Sequence, residues 1–312
     1  MAKVSSTGLD PAAFPARPAQ NYAEAMTRIE ALQTLDGPEV RPDSGTQLWT
    51  HGAQTERAVV FYHGYTNAPP QYKLLAEQFY QAGYNVLVPR LPHHGLQDPL
   101  TTDQMNLTAE ELIIMAQETA DIAFGLGRRV TIAGLSCGGV MAGWAAAFRP
   151  DVFLAMGMAP AANFPFVPMW VSTGFRKMAP HMRNFFIWWD PRVKEKSQGP
   201  PHAYPRFSTR GLSEIFRMAR VLYDYADHQA PLAQHISLTT SAFDTAVSNK
   251  TIYKLIDRWR KHGATIETYE FPKEQKVWHD IIDPANPTGQ IDITYPVVTR
   301  MLTEYDLSLI HI

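Results

Sequence analysis

Arg129-Val130-Thr131-Ile132-Ala133-Gly134-Leu135-Ser136-Cys137-Gly138-Gly139-Val140 is the stretch that decides the fold. Arg129–Ala133 reads as a short buried strand, and Cys137–Phe148 as a helix rich in Ala and Gly. Between them the chain must reverse its course within three or four residues. Glycines at 134 and 138 leave space at such a turn, and the Gly-x-Ser-x-Gly spacing puts a serine hydroxyl at its apex. The bland alternative is a glycine-rich turn carrying an idle serine. The strand–turn–helix setting favours the chemical reading.

Working outward, strand-like and helix-like runs alternate. Ala58–Tyr62 reads as a strand, residues 70–82 as a helix closed by Gly83, and Asn85–Val88 as the next strand. Thr108-Ala109-Glu110-Glu111 is a capping box that opens a helix to about Phe124. Val152–Met158, Ile236–Ser241 and Thr265–Phe271 read as strands. Ile252, Leu255, Ile256 and Trp259 mark a helix between the last two, and Ile291–Leu302 forms a final helix. This alternation predicts an α/β fold with a mostly parallel sheet and helices on both faces.

Residues 161–232 break the rhythm with many aromatic and Met side chains and ten Lys/Arg against five Asp/Glu. They are read as a helical insertion, or cap. The domain plan is then a loose lead-in over 1–20, a core of 21–160 and 233–306, the cap, and a tail at 307–312. Leu307–Ile312 reads either as a natural tail or as a translated sequencing-library adapter.

The composition is that of an ordinary globular protein, 45% hydrophobic and 19% charged, and a net charge of −2 gives no general pull toward nucleic acid. No stretch has the apolar length of a membrane span. The single cysteine, Cys137, rules out an intrachain disulfide and a cysteine metal cluster, and fits a reducing compartment. No basic start followed by an apolar run is found in the first twenty residues, so a cytoplasmic location is expected. No metal or cofactor is expected, and the oligomeric state is not readable.

Ser136 needs a base, because a free hydroxyl is a poor nucleophile at neutral pH, and the base needs an acid to orient it. Asp244 follows the strand Ile236–Ser241, and His279 follows the strand Thr265–Phe271. Of eleven histidines, His279 has both the order and the loop context. Asp280 and Asp283 are rival acids that fall after it. His262 sits at a helix end and is read as a cap, whereas His93 and His94 are read as lining the site entrance. Upstream, His63-Gly64-Tyr65-Thr66 follows the strand Ala58–Tyr62. The backbone N–H of Tyr65, with that of Cys137, is assigned to the oxyanion that forms when serine attacks a carbonyl. The His63 side chain is read as a brace for this loop.

On these residues, with Pro89–Gly95 added, the chain resembles the α/β-hydrolases of the bacterial carboxylesterase and monoacylglycerol-lipase-like group, with a serine-aminopeptidase-like core. The resemblance covers roughly residues 45–305. It implies an eight-stranded sheet with a cap inserted after the sixth strand, Val152–Met158. Two positions depart from it: Cys137, where Met or Gln is common, and Trp278, where Gly is common. The expected activity is hydrolysis of short- to medium-chain acyl esters by Ser136, His279 and Asp244 through an acyl-enzyme. The alternatives are an amidase or peptidase with the same triad, or a non-catalytic ligand-binding member of the fold. The aromatic cap suggests an apolar acyl pocket, with Phe164, Trp170 and Trp278 as candidate substrate contacts.

Overall fold

A computed structural model describes residues 7–165, 174, 183–192 and 199–307. In chain order the elements are α1 (Tyr22–Thr34), β1 (Gln47–Trp49), β2 (Thr55–Tyr62), α2 (Lys73–Gln81), β3 (Tyr84–Val88), α3 (Ala109–Leu126), β4 (Gly127–Leu135), α4 (Cys137–Phe148) and β5 (Leu154–Met158). Then follow β6 (Phe186–Trp188), β7 (Arg206–Ser208), α5 (Thr209–Ala226), β8 (His235–Ser241), α6 (Asn249–Lys261), β9 (Glu267–Phe271) and α7 (Ile291–Leu307).

Among the described residues the main sheet has seven strands in the order β1-β3-β2-β4-β5-β8-β9. Only β1 runs antiparallel, against β3; the other pairings are parallel. All of β3 and the last five residues of β2 are buried. This is why they read as continuous apolar runs rather than alternating ones. The α/β class is as expected. The strand count is one lower than the resemblance implied, because β1 is the first strand among the described residues. The insertion accordingly follows the fifth strand, β5.

The chain passes from β2 out to β3, then crosses back to lay β4 on the other side of β2. The order therefore reverses between β2 and β4. In open α/β sheets, ligand sites form beyond the carboxyl ends of the strands at such a reversal. Tyr62 pairs with Gly134 there, so the loop after β2 and the turn after β4 leave the sheet side by side.

Two differences concern the periphery. Helix α1 was not expected. It is capped by the Asn21 side chain, which accepts the Glu24 N–H, but only Ala25 and Ile29 are buried, so its apolar period is faint. The insertion was expected to be helical. It contains α5, but β6 and β7 also pair as a small antiparallel sheet, three residues each, too short for a period-two pattern to register. The capping box of α3 forms as read: the Thr108 N–H donates to Glu111 Oε2 at 2.9 Å, and the Glu111 N–H donates to Thr108 Oγ1 at 3.2 Å.

Candidate active site

Ser136 occupies the turn between β4 and α4 with φ 58° and ψ −111°. A non-glycine residue there is strained, by an amount on the order of 1–3 kcal/mol. The turn is held from three directions: the Ser136 N–H donates to Met158 O at 2.9 Å, and its carbonyl accepts the N–H groups of Val140 at 3.1 Å and Ala161 at 3.0 Å. The flanking glycines are steric requirements. A Cβ on Gly134 would lie 2.2 Å from Gly138 O, and one on Gly138 would lie 2.0 Å from Tyr62 O.

Cys137 is the first residue of α4, so its N–H has no partner within the helix. Its thiol is fully buried, and burial pushes it up to about 12, which leaves no thiolate to compete with the serine.

Asp244 lies three residues beyond β8, its N–H donating to Ser241 O at 3.1 Å. Its Oδ1 accepts the Ala246 N–H at 2.7 Å, and its Oδ2 meets His279 Nδ1 at 2.7 Å. The Asp244 side chain is closed off from solvent, while that of His279 stays 22% exposed. Burial pushes the Asp244 carboxyl up, but the charge and hydrogen bond of His279 and two backbone N–H donors outweigh it, so it sits below the usual range. For His279, burial alone would lower the imidazole. The Asp244 carboxylate, aided by Asp280, raises it instead.

His63 is buried after β2. Its Nε2 accepts the Leu91 N–H at 3.1 Å, so its Nδ1–H donates to Gly64 O at 2.9 Å. Burial holds the ring well below the ordinary histidine range, hence neutral. These contacts make it a brace rather than a proton carrier. A methyl group on Gly64 would lie 3.7 Å from Ser136 Cβ, which sets this loop against the serine. Neither the Tyr65 nor the Cys137 N–H enters a turn, loop or side-chain hydrogen bond among the described residues.

The insertion clasps the same loop. Tyr65 Oη donates to Ser208 O at 3.1 Å, the Tyr204 N–H donates to Thr66 O at 2.7 Å, and Trp189 Nε1–H donates to Thr66 Oγ1 at 3.0 Å.

Other expected residues fall differently. His262 caps α6 as read. His94 does not line an entrance. It is buried edge-on against His63 and Tyr65, and burial pushes it down to about 4. His93 faces Asp103 at 2.9 Å and Glu111 at 3.2 Å. Phe164 packs edge-on against Phe216 at 5.0 Å, and Trp278, 42% exposed, packs edge-on against Phe243 at 5.0 Å. Trp170 lies outside the described residues.

Two polar pairings around the site, Gln71 with Asp280 and His202 with Asp283, leave no signal in the sequence. Gln71 joins Gly64 to Asp280. His202 of the insertion meets Asp283 at 2.8 Å, both side chains being buried. No sequence signal pairs residues so far apart. Among the described residues no three His, Cys, Asp or Glu side chains are grouped to hold a metal ion, and no helix is long and apolar enough to cross a membrane.

Comparison with known proteins agrees with this architecture. The family model "Alpha/beta hydrolase family" matches residues 59–285. A thermostable monoacylglycerol lipase of Bacillus sp. (strain H-257) is 27% identical over 116 residues, covering 37% of this chain and 45% of the lipase. The matched part is thus under half of that relative's length. Monoacylglycerol lipase from Paleococcus ferrophilus superposes with a TM-score of 0.60 at 18% identity, over 83% of this chain and 98% of that one. A soluble variant of monoglyceride lipase from Saccharomyces cerevisiae gives 0.62 at 16% identity, over 84% and 91%. The chain belongs to the alpha/beta hydrolase family.

Proposed function

We propose that the protein is a serine hydrolase that opens short- to medium-chain carboxylic esters through an acyl-enzyme. One observation carries this reading: a strained serine and a 2.7 Å His279–Asp244 pair follow parallel strands of one sheet at their carboxyl ends. Ser136 Oγ attacks the acyl carbonyl, and its proton passes to His279 Nε2, because Nδ1 is engaged by Asp244. The N–H groups of Tyr65 and Cys137 receive the negative oxygen, each such donor being worth about 10²–10³ in rate. His279 then protonates the leaving alcohol oxygen. Water, deprotonated by the same ring, releases the acid and restores the serine.

An ester substrate is favoured over an amide because the relatives matched are named as lipases. We read residues 161–232 as a cap over the site. The clasp of Trp189, Tyr204 and Ser208 on the Tyr65–Thr66 loop supports that reading. Phe164, Trp170 and Trp278 remain its candidate acyl contacts.

The test is a series of p-nitrophenyl esters of increasing acyl length, with matching anilides, on wild type and Ser136→Ala. Ester turnover that falls with chain length and vanishes in Ser136→Ala is expected, with fluorophosphonate labelling confined to Ser136. Full activity in Ser136→Ala would remove the nucleophile from the scheme. Faster turnover of anilides than esters would make the protein an amidase.

A further inference from the structure

Gln71 lies in the turn Pro69–Tyr72, just after the loop that carries the Tyr65 N–H, and is 1% exposed. Its carboxamide is used at both ends. Oε1 accepts the Gly64 N–H at 2.8 Å, and Nε2 donates to Asp280 Oδ2 at 2.9 Å, across 209 positions of sequence. Asp280 follows His279 directly. Its Oδ1 accepts the N–H groups of Ile282 at 3.2 Å and Asp283 at 3.1 Å, and Asn286 Nδ2 donates to its Oδ2 at 3.3 Å. One carboxylate thus folds the loop behind the candidate base and takes the Gln71 amide.

The other end of the bridge is equally constrained. Gly64 faces Ser136, and its carbonyl accepts His63 Nδ1–H at 2.9 Å and the Asn67 N–H at 3.1 Å. That carbonyl shares a rigid peptide plane with the Tyr65 N–H. The plane before it is held by Gln71. Fixing both planes around Gly64 fixes where the Tyr65 N–H points. A carboxamide suits the bridge because its one planar head carries an acceptor for a backbone N–H and a donor for a carboxylate.

We propose that Gln71 is a positioning residue that locks the oxyanion loop to the His279 loop through Asp280, so that the donor at Tyr65 and the base keep a common geometry about Ser136. The inference rests on the reading of Ser136 and His279 as catalytic. It adds residues to which no function has been assigned: neither Gln71 nor Asp280 need touch the substrate. Misplacing a group by about 1 Å costs on the order of 10²-fold in rate, so the effect belongs in kcat.

The experiment uses the full chain and compares Gln71→Leu, Gln71→Glu, Asp280→Asn and the exchange Gln71→Glu with Asp280→Asn, each measured for kcat, KM, fluorophosphonate labelling rate and thermal midpoint. Gln71→Leu is expected to lower kcat by about 10–100-fold with KM within about 3-fold. Gln71→Glu sets two carboxylates against each other and loses at least as much. The exchange restores an amide–carboxylate bond with the donor and acceptor roles swapped, and is expected to recover kcat to within about 5-fold of Asp280→Asn alone or better. If Gln71→Leu does not fold, the comparison of Gln71→Glu with the exchange decides alone.

Wild-type kcat in folded Gln71→Leu, or no recovery in the exchange, overturns the proposal. So does a change confined to KM or to thermal midpoint. Ser136→Ala run alongside separates the two levels: an inactive Ser136→Ala with unaffected Gln71 variants sinks this inference only, whereas an active one sinks the catalytic reading beneath it.

Discussion

Asp244→Asn tests the catalytic reading most severely, because the carboxylate does three separable things. Its Oδ2 lies 2.7 Å from His279 Nδ1 in a position closed to solvent. A charge-assisted hydrogen bond of this kind is worth about 1.5–3 kcal/mol, which accounts for roughly 10- to 100-fold in rate. The larger loss comes from the tautomer. An amide at 244 offers its N–H to Nδ1, which drives the ring proton to Nε2, where it cannot accept the serine proton. The combined fall expected in kcat is about 10⁴-fold, or about 5 kcal/mol of barrier.

The charge leaves a separate mark on the pH profile. Asp244 holds His279 above the ordinary histidine value, so if the neutral ring is the base, as proposed, kcat/KM should climb with pH through a value above that of a free imidazole. The charged groups that raise it are Asp244 and, more weakly, Asp280. Without the Asp244 charge, burial is the dominant influence left, and burial lowers an imidazole. The acid limb of the residual activity should therefore move to lower pH. The assay is kcat/KM for a short p-nitrophenyl ester across a buffer series at constant ionic strength. A loss of less than tenfold, or an acid limb that stays where the wild type has it, would refute the assignment of Asp244 as the partner of His279.

Two further predictions concern packing. In Gly138→Ala the new methyl would lie 2.0 Å from Tyr62 O, so α4 and β2 must separate by about 1 Å; kcat should fall at least about 10²-fold, and activity within threefold of wild type would contradict the tight-turn argument. Arg149, whose side chain is 1% exposed, meets Asp121 at 2.7 Å and Asp151 at 2.8 Å; Arg149→Met should cost about 1.5–3 kcal/mol, read as a lowered thermal midpoint, because Asp121 Oδ1 loses its cation while Oδ2 keeps the Arg17 N–H at 2.7 Å and Arg28 at 3.8 Å.

The parts of the fold and site that could be read from sequence are those written in short-range patterns. The Thr108–Glu111 capping box spans four residues and is found as read. The turn at Ser136 is spelled out by glycines two positions to either side: Gly134 makes room for Gly138 within the turn itself, and Gly138 makes room for Tyr62 O at the end of β2. Chain order then suffices to nominate Asp244 and His279, since parallel strands deliver their following loops to one edge of the sheet.

What sequence did not reveal is set by contacts between distant segments. His93 and His94 share a motif-like stretch, yet one is captured by Asp103 and Glu111 and the other is buried behind Tyr65; side-chain type does not distinguish these fates. Helix α1 lacks a strong period because it buries so little of its surface. The bridge from Gly64 through Gln71 to Asp280 leaves no local trace at all, because a glutamine satisfied by one backbone N–H and one carboxylate looks in sequence like any surface glutamine. Its ends follow β2 and β9, strands four places apart in the sheet order, so their meeting is a property of the whole fold. A local motif can therefore nominate candidate reacting atoms, while the contacts that tie their loops to one another become visible only once the sheet is closed around them.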